Sequence, residues 1–267
     1  MTRMDQTATA AYPPETVEGW YTLHQLFRID MAAMRARRAA ERSAHALSDL
    51  EAPPEGGGWS VLVDVTGSEA DLMLVHFRPT LGALRAVQRR LACDPLFDHL
   101  ALVYSFLSVT EAGLYALSAK AAAESGADYR AGIEARVAAE RESPHVQRRL
   151  YPELPADMPV VCFYPMSKKR HPGENWYELS LDERSRLMQA HGVTGRRYAG
   201  RVQQIITGAI GLDAWEWGVT LFALDALDIK KLVTDMRFDE VSARYAEFGP
   251  FYVGERVTPD AWLATLP

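Results

Sequence analysis

The chain has 267 residues, 48% of them hydrophobic, enough to bury a full core in one large domain or two small ones. A formal net charge of −6 argues against an electrostatic footprint for nucleic acid. The N-terminal stretch MTRMDQTATAAYPPE holds no signal-like apolar run and no later window matches a membrane span, so a cytoplasmic protein without membrane contact is expected.

In chain order, residues 20–30 (WYTLHQLFRID) predict a strand and the Ala/Arg-rich residues 31–50 a helix. The breaker EAPPEGGG follows, and then WSVLVDVTG and ADLMLVHFR, which predict a hairpin across Gly67. A helix over 81–91 leads to the strand HLALVYSFLSVTE. This order is that of a ferredoxin-like repeat. Residues 114–149 are rich in Ala, Glu and Arg and predict one or two surface helices. The theme then recurs: strand PVVCFYPMS, helix LDERSRLMQAHG, strands RVQQIITG and EWGVTLFALD, helix LDIKKLVTDMRFDEVSARYA and strand GPFYVGE. The chain therefore divides into a first repeat (1–113), a helical connector (114–156) and a second repeat (157–267). Its fold class is α+β, with two four-stranded sheets that pack together or close into a barrel. Cys162 lies in the apolar run VVCFY, and with Cys93 the only other cysteine, a disulfide scaffold or thiolate cluster is disfavoured.

The second repeat contains a candidate ligand. Ser180 and Glu183 have capping-box spacing, which starts a helix by satisfying its first amides. Leu187 and Met188 stand four and three residues before His191, so the imidazole shares a face with apolar side chains, and Gly192 and Gly195 are expected to end the helix. A lone histidine on such a face is more often structural than a ligand. Iron-ligating histidines usually have their second ring nitrogen held by a partner, for which Glu216 and Asp213 are the candidates.

The runs FYPMSKKR (163–170), NWYELSLDERSRLMQAHG (175–192), EWGVTLFALD (216–225) and MRFDEVSARYAEFGPFYVG (236–254) together resemble the chlorite dismutase family, and within it the coproheme decarboxylase branch. The resemblance implies a dimeric α+β barrel of two ferredoxin-like repeats, assembled as a homo-oligomer, commonly a pentamer. It makes His191 the proximal ligand of iron in a haem-type porphyrin. The substrate implied is iron coproporphyrin III (coproheme), whose 2- and 4-propionates become vinyl groups in haem b at the expense of hydrogen peroxide. Coproporphyrin ferrochelatase is the transient partner implied.

Within the family, chlorite-degrading members carry a distal arginine thirteen residues after the proximal histidine, where this chain has Gln204. A neutral amide provides no charge for an anionic oxidant, so the resemblance favours decarboxylation. Strand alternation lets only one of Gln203 and Gln204 face the porphyrin. The motif Y-P-M-S-K assigns the radical-forming tyrosine to Tyr164, which would remove a β-hydrogen from the propionate. Lys168 is the cation beside that propionate, and Met166 packs near the reactive substituents. Arg237 and Ser242 match propionate-holding positions. Arg149 is a further candidate, with Arg148 an equal contender. Trp215 is expected at the porphyrin edge, and Tyr115 in the same pocket, although T-E-A-G-L-Y departs from the family pattern. The alternatives are a non-catalytic haem carrier or sensor, which would need neither Tyr164 nor Lys168, and a peroxidase or chlorite-degrading enzyme, which the missing arginine disfavours.

Overall fold

The computed structural model describes residues 12–36, 45–125 and 132–267. The β-branched and aromatic run of the first strand gives β1 (Thr16–Ile29). It is followed by α1 (Met31–Ala36) and α2 (His45–Ser48); the middle of the predicted helix lies outside the described residues. β2 (Trp59–Thr66) and β3 (Leu72–Arg78) pair as the expected hairpin, with Gly67 at φ 75°. Thr80 accepts the amide of Ala83 and so starts α3 (Leu81–Ala92), and β4 (Leu100–Gly113) closes the first repeat. Three described helices, α4 (Tyr115–Ser125), α5 (Glu134–Arg141) and α6 (Pro144–Leu150), connect the halves.

The second repeat begins with β5 (Val160–Lys168), a two-residue hairpin β6 (Arg170–His171) and β7 (Glu174–Asn175), and α7 (Leu181–Arg196). β8 (Val202–Gly208), β9 (Trp217–Ala223), α8 (Ala226–Arg237), α9 (Glu240–Tyr245), β10 (Ala246–Phe248), β11 (Tyr252–Val257) and α10 (Pro259–Leu263) complete it.

The strand order runs β5-β11-β2-β3-β1-β4-β8-β9, and β9 pairs back onto β5. The ring therefore closes into a barrel of eight antiparallel strands, the second of the two arrangements that the repeat pattern allowed, with β10 a short spur on β5. The repeats contribute β2-β3-β1-β4 and β11-β5-β9-β8, the same ferredoxin-like order twice. Leu26, Met73, Val75, Phe106, Phe163 and Phe222 fill the barrel interior. His24 is buried among them, stacked on Phe163 at 4.0 Å and joined through Nε2 to Thr220 Oγ1 at 2.8 Å.

Two local expectations need correction. α7 does not stop at Gly192 but runs through Gly195 to Arg196, since glycine is permitted, at a cost, inside a helix that tertiary packing supports. The single helix predicted over 227–246 breaks into α8 and α9. At the break Asp239 leaves helical geometry (φ −80°, ψ 150°) and its side chain accepts the amide of Ser242, so the second helix has its own N-cap.

Candidate active site

The outer faces of β5, β9 and β8, together with α7, α8 and α9, enclose a cavity of ≈ 1380 Å³. His191 lines it from α7. Its ring is one quarter exposed, and Nδ1 lies 2.9 Å from Oδ2 of Asp239. Burial pushes the Asp239 carboxyl up, but the hydrogen bond and charge of His191 and the amides of Ser242 and Val241 outweigh it and hold the group below its ordinary value. An ionised carboxylate has no proton to give, so Nδ1 donates, and in the neutral ring that leaves Nε2 as the nitrogen open to a metal. The partner of His191 is therefore Asp239; neither Glu216 nor Asp213 fills that place, because the break between α8 and α9 brings residue 239 beneath the ring.

Strand pairing resolves the two glutamines. Gln204 stands opposite Leu221, which packs with Tyr164, Val219 and Val202, whereas Gln203 stands opposite Phe222 of the barrel interior. Both touch the cavity, but Gln204 has the face that looks across it: its Nε2 lies 3.5 Å from where a Cβ on Gly195 would stand. Gly195 is one turn beyond His191, so the glutamine and the histidine belong to opposite walls.

Tyr164, Met166 and Lys168 alternate along β5 and share one face. Tyr164 is buried, stacked on Phe251 at 4.4 Å, and burial pushes its phenol pKa up, so it is a neutral hydrogen donor at physiological pH. Arg237 lies over Phe248, 3.8 Å from its centroid, beside the same tyrosine. Lys168 Nζ sits 4.7 Å above the Trp176 ring. Burial pushes its ammonium down to about 8, against the pull of Asp239 and Glu216.

Ser242, Arg149 and Arg148 also line the cavity, as does Tyr115. Trp215 does not line it. That residue lies in the turn before β9 and packs against the barrel-interior cluster, while Trp217, opposite Met166, faces the cavity and donates Nε1–H to Glu111 at 2.9 Å. Two basic residues that the motifs did not single out for the pocket join them. Arg184 and Arg196 line the cavity from α7, so among the described residues six cationic side chains, Arg148, Arg149, Lys168, Arg184, Arg196 and Arg237, and one carboxylate, that of Glu111, line the space. Burial raises the pKa of that carboxyl, a hydrogen bond from Trp217 opposing. In a chain of net charge −6, this concentration of positive charge suits a large polyanion. Arg184 was within reach of sequence reading, two helical turns before His191; Asp239, forty-eight residues away, was not.

The model of the family described as chlorite dismutase matches residues 36–257. The chain belongs to the chlorite dismutase family. Among curated members, a coproheme decarboxylase of Staphylococcus saprophyticus is 42% identical over 255 residues, which cover 92% of this chain and 95% of that protein. Among solved structures, a haem-binding protein from Thermus thermophilus is 40% identical, with a TM-score of 0.79 over 94% of this chain and 98% of that one. A chlorite dismutase variant from Candidatus Nitrospira defluvii is 18% identical with a TM-score of 0.69, covering 94% and 96%, and shares the fold. The family's α+β barrel is thus the one described above.

Proposed function

We propose that the chain is a coproheme decarboxylase that converts iron coproporphyrin III to haem b by two hydrogen peroxide-dependent decarboxylations. The observation that carries this reading is the pairing, across one cavity, of His191, its Nδ1 engaged by Asp239, with the Tyr164–Lys168 face of β5. The residues fit the porphyrin. The cavity exceeds the ~300–1,000 Å³ common for small-molecule sites, and six cations meet a substrate with four carboxylates. The 42% identity to the staphylococcal coproheme decarboxylase supports the same reading.

The bound iron supplies the oxidising chemistry with peroxide. The protein's part is to orient and to manage protons. His191 presents Nε2 to the iron while Asp239 fixes the ring. Tyr164 gives up a hydrogen atom and takes one from the β-carbon of the propionate. Lys168, with Arg237 and Ser242, holds carboxylates against the wall. Arg148, Arg149, Arg184 and Arg196 serve the remaining acidic groups, and Gln204 offers a neutral amide to the distal side. Each turnover balances as propionate, peroxide and a proton giving vinyl, carbon dioxide and two waters. The subunits assemble into a homo-oligomer, a pentamer in this reading, that works in the cytoplasm and receives substrate from coproporphyrin ferrochelatase.

The haem-carrier alternative leaves Tyr164 and Lys168 without a task. Mass spectrometry of the porphyrin after peroxide addition decides the matter: two successive losses of about 46 mass units, carbon dioxide with two hydrogens, are expected. An unchanged porphyrin refutes the reading. Tyr164→Phe is expected to bind coproheme within about threefold of wild type and to lose the first decarboxylation by at least about a hundredfold.

A further inference from the structure

Glu216 is left without a role once Asp239 takes the place beside His191, yet it is almost fully buried and aimed at the reactive strand. Its side chain is 9% exposed. Oε2 accepts the backbone N–H of Lys168 at 2.7 Å, and its own amide donates to the carbonyl of Met166 at 3.1 Å. The acid thus closes a loop of hydrogen bonds around the last two catalytic-face residues of β5.

We propose that Glu216 is the positioning residue for Lys168: its carboxylate ties down the backbone at the end of β5 and holds the lysine ammonium charged beside the cavity. The role of Lys168 in turnover rests on the decarboxylase reading; the electrostatic coupling does not.

Two carboxylates favour the charged ammonium of Lys168, Asp239 and then Glu216, and Glu216 is the one bonded to the lysine's own backbone amide. Asp239, capping α9, is the other carboxylate that favours the charged ammonium, and it is engaged by His191 Nδ1. The neighbouring Lys169 is paired with Glu174 at 2.9 Å. Trp176 covers Lys168 with its ring, which favours a cation but offers no acceptor. Arg170, exposed and 3.5 Å from Glu216 Oε1, and the buried hydroxyl of Tyr177, whose ionisation is pushed up by burial and then by Glu216, complete the polar groups at the carboxylate. Without Glu216, Asp239 alone opposes burial at Lys168, and burial favours the neutral amine.

The chain has five lysines, so ¹³Cε-lysine labelling with Lys168→Arg as the assignment control resolves each titration in the ligand-free protein. In Glu216→Gln, which keeps size and hydrogen-bond acceptor but loses charge, the Lys168 midpoint is expected to fall by at least about 0.5 pH unit. Glu216→Asp, with the carboxylate withdrawn by one methylene, is expected to lie between the two. A Lys168 midpoint equal in wild type and both variants overturns the proposal. If Glu216→Gln does not fold, an unmoved midpoint in Glu216→Asp overturns it alone. In turnover, the basic limb of kcat is expected to move to lower pH with the lysine midpoint, while coproheme affinity changes less than about threefold. Wild-type protein that leaves coproheme unchanged refutes the decarboxylase reading and not the coupling; wild-type turnover with an unmoved limb in Glu216→Gln refutes the positioning role.

Discussion

Replacing Asp239 by asparagine tests the axial-ligand assignment most directly, because it separates two duties of one side chain. Asp239 accepts from Nδ1 of His191 at 2.9 Å through Oδ2, and caps α9 through Oδ1, which accepts the Ser242 amide at 3.1 Å. Asparagine is as good an N-cap as aspartate, so the helix should survive. What disappears is the negative charge behind the imidazole. A charge-assisted hydrogen bond contributes about 1.5–3 kcal/mol, and outer-shell partners of this kind typically change metal affinity about 10–100-fold. The ligand-free protein is titrated with ferric coproheme and the Soret band followed. The dissociation constant is expected to rise about tenfold or more, with the thermal midpoint of the ligand-free protein within about 2 °C of wild type. Asp239→Ala, which also loses the cap, should lower that midpoint further, by an amount corresponding to about 1 kcal/mol. The sign with pH is fixed by the lowered carboxyl: its contribution is present above the unfolded carboxylate value and lost only as pH falls through the still lower folded one, so affinity should show no acid limb from Asp239 at neutral pH. A dissociation constant that asparagine leaves unchanged within twofold would falsify the idea that His191 coordinates iron with Asp239 behind it.

Lys168 and the interior histidines make two further tests. The lysine's folded pKa of about 8 lies below its unfolded value, so the native state holds fewer protons between those limits, and stability should rise with pH through that window. Below it the charged, buried ammonium costs on the order of 3 kcal/mol. Lys168→Met is therefore expected to raise the ligand-free melting temperature at pH 7 by several degrees while abolishing turnover; a lower melting temperature refutes the strain. His24 and His76 are both fully buried, and burial pushes each down to about 3. For each, the unfolded chain binds one more proton between about pH 6.5 and 3, so stability present above the unfolded value is lost as pH falls, at about 2.7 kcal/mol per pH unit for the pair. Urea unfolding at pH 6 and pH 5 measures that slope, and a flat profile contradicts neutral burial.

Much of this arrangement is written locally. The strands, the Ser180 cap and the Gly67 turn each depend on residues within a few positions, and the structure realises them. The alternation that places Tyr164, Met166 and Lys168 on one face of β5 is equally local. What could not be read depends on contacts made in space. The choice between packed sheets and a closed barrel rests on the pairings between the repeats, β11 with β2 and β8 with β4, whose partners lie far apart in the chain. Trp215 and Trp217 are indistinguishable until it is known where β9 begins. Gly192 and Gly195 looked like helix ends because sequence propensity counts their entropic cost but not the tertiary contacts that α7 makes with α4, α8 and α9.

Those glycines also bear on how the second half of a duplicated fold holds its cavity. In the first repeat α3 lies on its sheet and buries Leu84, Val87 and Leu91 in a core shared with α2 and α10. In the second, α7 buries Leu181, Arg184 and Leu187 near its start, and from Met188 onward turns a cavity wall of His191, Gly192, Gly195 and Arg196 toward β8. The same strand order therefore supports a packed helix in one repeat and a helix held off its sheet in the other. A polyanionic, flat ligand pairs with the cations around the cavity, and at a concentration of 100 times its dissociation constant it stabilises the folded state by about 2.7 kcal/mol. Porphyrin occupancy should thus stiffen the second repeat more than the first, and amide exchange compared with and without coproheme should slow in α7 and β8 while leaving α3 unchanged.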